Sequence, residues 1–95
     1  MIVYHRTDAP DTIVSDGFHD GLTSDGTGVE RIGVWVSDRA LGEEEGAFGS
    51  WVIVVEVDVD VLEPWEWIEP GKPFREFLVP AEVLNEHPIV EVLED

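Results

Sequence analysis

The clearest pattern along the chain is the alternation of side-chain type over residues 51–60. Trp51, Ile53, Val55, Val57 and Val59 occupy the odd positions, and the even positions change from valine to acidic residues. Successive side chains of a strand point to opposite faces of a sheet. The pattern therefore predicts a strand over 51–60 that is buried on both faces in its first half and exposed on one face in its second half.

Shorter patterns predict the first helix and the other strands. Strands are expected at 2–5, 32–37 and 74–79, and a final one at 89–93. After the first strand, Thr7 or Asp8 can cap a short helix that has Pro10 in its first turn and ends at Gly17.

The remaining segments have weaker signals. Residues 19–30 are rich in Gly, Asp, Ser and Thr and are expected to form a mobile loop. A weak helix is expected over 39–45, capped by Asp38. Residues 62–72 predict a loop in which Trp65 and Trp67 can form a short edge strand, and Pro80 begins a helix of one turn. Few helices and many strands predict one domain over residues 1–95, a small α+β domain with a split, mostly antiparallel sheet.

Glu76 interrupts an otherwise apolar strand face. It lies between Phe74 and Leu78 on the same predicted face, and burial of an unpaired carboxylate is costly. Glu76 must therefore either reach water in a cleft or be buried with a partner. It is then the acid of an active site, or the strand is an edge strand and Glu76 leans into solvent.

Composition restricts the function classes. The chain has 22 acidic residues against five Lys and Arg, a formal net charge of -17. Such a surface repels phosphate backbones and membranes, which argues against direct binding to nucleic acid or to a membrane, and it attracts a basic protein partner. Solubility in a salty cytoplasm explains the same charge.

Other compositional features exclude a thiolate metal site and indicate a location. There is no Cys, so disulfides and thiolate ligands are excluded. The first residues do not resemble a signal peptide, and no apolar run is long enough to cross a membrane, so a cytoplasmic location is expected. Glu56, Asp58 and Asp60 share a predicted strand face without a nearby His, so no metal is expected there.

Three short stretches resemble the motifs of ADP-ribosyltransferases of the His-Tyr-Glu type, which include poly-ADP-ribose polymerases and diphtheria-like toxins. Residues Tyr4–Thr7, followed by Gly17–Phe18, resemble the family's opening "YHGT…GF". Residues Gly33–Asp38 resemble the strand "GIYFAD", and Arg75–Val79 resembles the strand with the catalytic acid, often "EYIV". The resemblance implies an ADP-ribosyltransferase-like fold and NAD as the substrate.

The resemblance also implies roles for individual residues. His5 would hold the ribose and orient the nicotinamide end of NAD, and Trp35 takes the place of the Tyr that stacks on nicotinamide. Glu76 would bind the ribose hydroxyl and stabilise the oxocarbenium-like charge that develops as nicotinamide leaves. Thr7 and Ser37, in the same motifs, would join the NAD-binding set.

Arg6 is the main departure from the family pattern. It also belongs to the NAD-binding set, but it replaces the Gly that lets the backbone approach nicotinamide. Its guanidinium can meet a pyrophosphate, and Arg31, Arg39 and Arg75 would have to complete a basic patch for anionic NAD.

Two interpretations remain open. In the first, the chain is an NAD-dependent ADP-ribosyltransferase with catalytic His5 and Glu76, or a reduced relative of one, and it modifies a protein, nucleic acid or small molecule. In the second, it is a non-catalytic acidic module, such as an immunity protein, a nucleic-acid mimic or a phage-type inhibitor. His5 and Trp35 also fit ordinary structural positions.

Overall fold

The chain forms one antiparallel sheet with short helices packed on it. The computed structural model describes residues 1–24, 30–42, 47 and 49–94, with only the backbone of residues 22–24 and 30. The elements in chain order are β1 (Ile2–Thr7), α1 (Pro10–Asp16), β2 (Gly21–Ser24), β3 (Glu30–Ser37), β4 (Trp51–Glu56), α2 (Val59–Leu62), β5 (Glu66–Trp67), β6 (Glu76–Val79), α3 (Ala81–Leu84) and β7 (Ile89–Glu94). A 3-10 turn, Glu63–Trp65, joins α2 to β5.

The strand order is β5-β6-β3-β1-β4-β7, and β2 pairs with β3 outside this path. β1 and β4 pair along their whole length, from Ile2 opposite Glu56 to Thr7 opposite Trp51. Within the described residues, β1 and β3 pair only at Tyr4 and Ser37, so these two central strands diverge. The predicted class, a small α+β domain with a mostly antiparallel sheet, is confirmed.

One face of the sheet carries the hydrophobic core. Val3 of β1, Ile53 and Val55 of β4 and Phe77 of β6 are fully buried, and each has polar or less buried neighbours in its strand. Residues of the helices and their flanks complete this cluster: Ile13, Phe18, Val57, Leu62, Ala81 and Leu84. The helices therefore cover one face of the sheet, and the opposite face is left for other contacts.

Two side chains tie the segment after α1 to α3. The Asn85 side chain accepts a hydrogen bond from the Phe18 amide at 2.7 Å and donates one to the Phe18 carbonyl at 3.0 Å. Asp20 Oδ1 accepts a hydrogen bond from the Ala81 amide at 2.8 Å, at the first turn of α3. These bonds hold Phe18 in the core although the segment around it has no regular structure.

Three predicted elements are wrong in whole or in part. β4 ends at Glu56, and the chain then turns into α2, because Asp58 takes an extended backbone and begins a helix. The loop predicted over 19–30 contains β2, whereas residues 25–29 lie outside the described part.

The third wrong prediction concerns the segment after β3. Residues 39–42 form no helix, and residues 43–45 of that predicted helix are outside the described part. Asp38 does not cap a helix but accepts a hydrogen bond from the Arg75 amide at 3.1 Å, and its own amide donates to the Arg75 carbonyl at 3.0 Å. Asp38 thus joins the end of β3 to the start of β6.

Most other boundaries agree with the pattern, but the strand predicted over 74–79 begins only at Glu76. α1 ends where Gly17 adopts a φ of 88°, and β5 is the short edge strand expected near Trp67. The cap expected from Thr7 or Asp8 is replaced by Ala9, whose amide donates to Thr7 Oγ1. In the part of the chain that is described, every helix is too short to cross a bilayer.

Replacement of Asn85 by Ala is expected to destabilise the fold. The variant loses both hydrogen bonds to Phe18, which corresponds to about 1–2 kcal/mol of unfolding free energy. Urea denaturation followed by Trp fluorescence measures this difference. The neighbouring exposed Glu86→Ala is the control and is expected to change the free energy by less than about 0.5 kcal/mol; equal effects of the two substitutions would contradict the role of Asn85.

Candidate functional site

The three strands with the motif residues are adjacent in the sheet. β3 lies between β1 and β6, and Ser37 pairs with Tyr4 on one side and with Glu76 on the other. Residues paired across antiparallel strands share a face. Tyr4, Ser37 and Glu76 therefore form one row across the face opposite the helices.

The next row of the same face carries two more predicted site residues. Trp35 pairs with Leu78, two residues along from the Ser37–Glu76 pair, and Arg6 follows Tyr4 by two residues in β1. Arg6, Trp35, Ser37 and Glu76 line one small cavity together. The structure thus brings together four of the six predicted site residues.

His5 lies on the other face of β1. Its ring meets the Phe18 ring edge to face, with 5.5 Å between centroids, and Nδ1–H donates a hydrogen bond of 2.8 Å to the Trp35 carbonyl. This bond crosses the gap where β1 and β3 diverge. The imidazole is therefore a packed, hydrogen-bonded group, separated from the Glu76 carboxylate by the sheet.

Burial determines the protonation of His5. Desolvation lowers the pKa of His5 below its ordinary value of 6.5, and the hydrogen bond to the Trp35 carbonyl opposes this effect but is the smaller one. The ring is therefore neutral at pH 7, with the proton on Nδ1.

Arg6 closes the cavity beside Glu76. Its Nε donates to the Leu41 carbonyl at 2.6 Å and its Nη1 to the Gly49 carbonyl at 3.0 Å. The cavity that remains has about 30 Å³, room for about one water molecule. A nicotinamide ring therefore enters this position only if the Arg6 side chain and the backbone near Leu41 move aside.

Gly49 and Ser50, next to the Arg6 side chain, make two further contacts with Thr7 and Asp8 at the end of β1. The Asp8 carboxylate accepts a hydrogen bond from the Ser50 amide at 3.0 Å. Gly49 packs directly on Thr7: a Cβ added to Gly49 would lie 2.4 Å from the Thr7 carbonyl carbon. Thr7, the last predicted NAD-binding residue, thus contacts this segment with its backbone.

The Glu76 carboxylate is mostly buried and has a cationic partner. Its Oε1 lies 3.2 Å from Lys72 Nζ, and the side chains of Glu76 and Lys72 are 15% and 14% exposed. Lys72 is also 3.8 Å from the more exposed Glu69. This geometry agrees with a Glu76 that is buried with a partner. It does not agree with an edge strand whose Glu76 leans into solvent, because β6 lies between β5 and β3.

Basic side chains gather on the Glu76 face. All five Lys and Arg of the chain lie in the described residues, and four of them contact side chains of this face. Beside Arg6 at the cavity and Lys72 at Glu76, Arg39 lies 5.1 Å from the Phe74 ring centre and Arg31 lies 4.8 Å from that of Trp67.

Arg75 is the exception to this clustering. It alternates with Glu76 to the other face, where it forms a bidentate pair with Glu66 at 2.8 and 2.9 Å. This pair lowers the pKa of Glu66. The basic patch expected from Arg6, Arg31, Arg39 and Arg75 therefore contains Lys72 in the place of Arg75.

Aromatic rings extend the site beyond the cavity. Trp67 of β5 pairs with Glu76, and its ring meets that of Trp35 edge to face with 5.8 Å between centroids. Further along this face, an open depression of about 370 Å³ is lined by Arg31, Trp65 and Trp67. Rings and guanidinium groups that line one surface are suited to a planar, anionic ligand.

Sequence reasoning missed Lys72, Trp67 and Tyr4 as members of this site. Strand alternation could have placed Tyr4 beside Arg6, since the two residues share a face of β1. Lys72 lies in the loop before β6, and no local sequence pattern predicts its contact with Glu76. Among the residues that the structure describes, no three His, Asp or Glu side chains lie close enough to hold a metal ion.

No protein-family model, curated protein or solved structure matches the chain.

The His5 ring is expected to titrate below pH 6.5. Because its folded pKa is lowered, the unfolded chain binds a proton first, so the stability from neutral His5 is complete above pH 6.5 and decreases as pH falls. Nitrogen NMR of the imidazole ring measures both the midpoint and the Nδ1–H tautomer. A midpoint at or above 6.5, or an Nε2–H tautomer, would show that the ring is not held as described.

Substitution of Gly49 by Ala is expected to lower the free energy of unfolding far more than substitution of Gly71 by Ala. Both residues have positive φ, 127° and 80°, but the added Cβ meets Thr7 at Gly49 and open space at Gly71. Gly71→Ala is expected to cost about 1–2 kcal/mol, and Gly49→Ala at least about 3 kcal/mol. Chemical denaturation of the two variants tests this, and similar losses would disprove the close contact with Thr7.

Proposed function

We propose that the protein is an NAD-dependent ADP-ribosyltransferase-like protein with its reaction centre at Glu76. The observation that carries this proposal is the clustering of Arg6, Arg31, Arg39 and Lys72 on the one face that holds a mostly buried carboxylate and two indole rings in edge-to-face contact. In a chain with 22 acids and five basic residues, this face is the part suited to an anionic dinucleotide. The three strands with the motif residues, β1, β3 and β6, are adjacent in the sheet, which supports the proposal for Trp35 and Glu76 but not for His5, whose ring lies on the other face.

The reaction breaks the bond between the ribose C1′ and the nicotinamide nitrogen. Nicotinamide leaves with the bonding electron pair, and positive charge develops on the ribose ring. The Glu76 carboxylate stabilises this charge, and an acceptor nucleophile then forms the new bond to C1′ and loses its proton. Trp35 supplies the aromatic surface for the nicotinamide ring, and Ser37 lies between Glu76 and Tyr4.

His5 has a positioning role in this proposal. Its ring fixes the separation of β1 and β3 through the bond to the Trp35 carbonyl, and so sets where the indole of Trp35 lies. The catalytic role that the resemblance implies for His5 would require the imidazole to reach the Glu76 side of the sheet.

The closed cavity gives the proposal its main physical requirement. Pockets that bind small molecules usually have about 300–1,000 Å³, whereas the space at Glu76 has about 30 Å³. NAD binding must therefore displace Arg6 from the Leu41 and Gly49 carbonyls, and its pyrophosphate offers the guanidinium an alternative partner. If Arg6 never leaves the Leu41 and Gly49 carbonyls, NAD cannot reach Glu76. The protein would then be a reduced, inactive relative of the ADP-ribosyltransferases.

Glu76→Gln is expected to lower the rate of NAD cleavage by at least about 100-fold, because the amide cannot offset the charge on the ribose. Release of nicotinamide, measured by chromatography, and transfer of labelled ADP-ribose report the two halves of the reaction. Glu69→Gln is the matched control: it removes the other carboxylate near Lys72, at 3.8 Å, and is expected to leave the rate unchanged. A wild-type chain that neither binds nor cleaves NAD, or an unchanged rate in Glu76→Gln, would refute the assignment.

A second candidate function is a non-catalytic acidic module that binds a basic protein. The supporting observation is the separation of charge: residues 7–30 and 76–95 contain no Lys or Arg, and Asp58, Asp60, Glu82 and Glu86 are exposed. Steered charge pairs of this kind weaken with added salt. Affinity for a basic partner that is independent of salt would count against this function.

A further inference from the structure

A large open cavity lies on the helix face of the sheet, away from Glu76. It is an open groove of about 670 Å³ between α1 and the edge strand β7. Ile13 and Val14 of α1 form one wall, Val90 and Val92 of β7 the other, and Leu84 of α3 also lines the groove. Nothing in the proposed NAD chemistry uses this groove.

The groove exists because the helix layer stops before the sheet does. α1 packs against β4, and β7 is the next strand beyond β4 and the last of the sheet. Ile89 and Val92 of β7 pack partly against the core cluster, and the groove separates Val90 from α1. Val14 and Val90 are consequently 58% and 49% exposed although both line one groove. Apolar side chains that gather in one depression, rather than singly, are typical of a docking surface.

The charge around the groove selects a basic occupant. Asp16 and Glu91 line it, and α1, α3 and β7 contain acidic residues but no Lys or Arg. A second copy of this chain would bring another charge of -17 to the same surface. Like charges oppose that association, whereas Lys or Arg on a partner would be attracted to the rim of the groove.

The geometry of β7 favours a helix over an added strand. The register between β4 and β7 shifts between Val54 and Val55, which leaves Val90 as the extra residue of a bulge. A bulge twists an edge strand and interrupts the regular row of backbone groups that an added strand needs. A helix beside α1 would instead continue the existing layer and cover the exposed valines.

We propose that this groove binds an amphipathic helix of a partner protein, with apolar residues at i, i+4 and i+7 and Lys or Arg along its flanks. The apolar stripe contacts Val14, Val90 and Val92, and the basic flank beside α1 meets Asp16. This interaction uses the face of the sheet opposite Glu76, so it is independent of whether NAD is cleaved.

A set of three synthetic helical peptides tests the proposal by NMR titration of the full-length chain. The first has Leu at i, i+4 and i+7 with flanking Lys, the second replaces Lys by Glu, and the third keeps the composition but scrambles the Leu positions. The first peptide is expected to give saturable shifts at Val14, Val90 and Val92, weaker at high salt, and the other two to give no saturable shifts there.

Variants of the groove distinguish docking from general attraction to an acidic protein. Val14→Asp and Val90→Asp are expected to weaken binding of the first peptide at least about 10-fold, because each places a charge against the apolar stripe. Ile32→Asp is the control, since Ile32 is 69% exposed and lies in β3, outside the groove. All three substitutions add one negative charge, which by itself strengthens attraction of a basic peptide.

Equal binding of the ordered and scrambled Lys peptides, or unchanged affinity in both groove variants, would overturn the proposal and leave only non-specific charge attraction. Backbone shifts confined to the outer edge of β7 would instead identify strand addition and likewise overturn it. Because both valines are already half exposed, retention of the fold in each variant can be verified from its amide spectrum.

Discussion

The position of Ser37 is the constraint on which the candidate site depends. This buried serine pairs with Tyr4 and with Glu76, and its hydroxyl donates to the Arg39 carbonyl at 2.6 Å. A slip of one residue between β3 and β6 would turn Glu76 into the core and Phe77 out of it. That alternative register is unfavourable, because it would bury the Glu76 carboxylate beside apolar core residues such as Val3 and Ile53.

Charge distribution follows from the same register. The face with Glu76 also holds most of the basic side chains, and Glu76 and Glu69 offset the charge of Lys72. The remaining surface is acidic and has few cations to offset it, so repulsion works against compaction everywhere except at this face. The clustering of basic side chains thus reduces charge repulsion on this face, in addition to its proposed role in binding NAD. The ion pair between Lys72 and Glu76 fits both roles.

Much of the fold could be predicted from the sequence because the core strands are strongly patterned. The valine-rich stretch of β4, the Pro10 start and Gly17 end of α1, and the placement of Glu76 next to Leu78 are local signals. The turn after Glu56 could not be predicted, since the alternation of acids and valines over 56–60 satisfies a strand and a short helix entry equally well. β2 was hidden by its Gly-rich composition, and its pairing with β3 has a tertiary cause.

The candidate site was less predictable, since it depends on faces rather than on motifs. The proximity of Glu76 and Trp35 follows from the order of β1, β3 and β6, which no local pattern encodes. His5 is adjacent to Arg6 in the chain, and the same motif therefore sends one side chain to the core and the other to the cavity. A motif match of consecutive residues cannot distinguish these two destinations, whereas strand alternation does.

The presence of a single sheet explains how two unrelated surfaces can occur in 95 residues. With a single sheet and helices on one face, each strand contributes alternate side chains to different environments. β1 supplies Arg6 to the cationic face and Val3 to the core, and β4 continues that core to the edge where β7 is uncovered. A ligand at Glu76 would act on β1 through Arg6, and a helix in the groove would act on β4 and β7. The two surfaces are connected through β1 and β4, which pair along their full length, from Ile2 opposite Glu56 to Thr7 opposite Trp51.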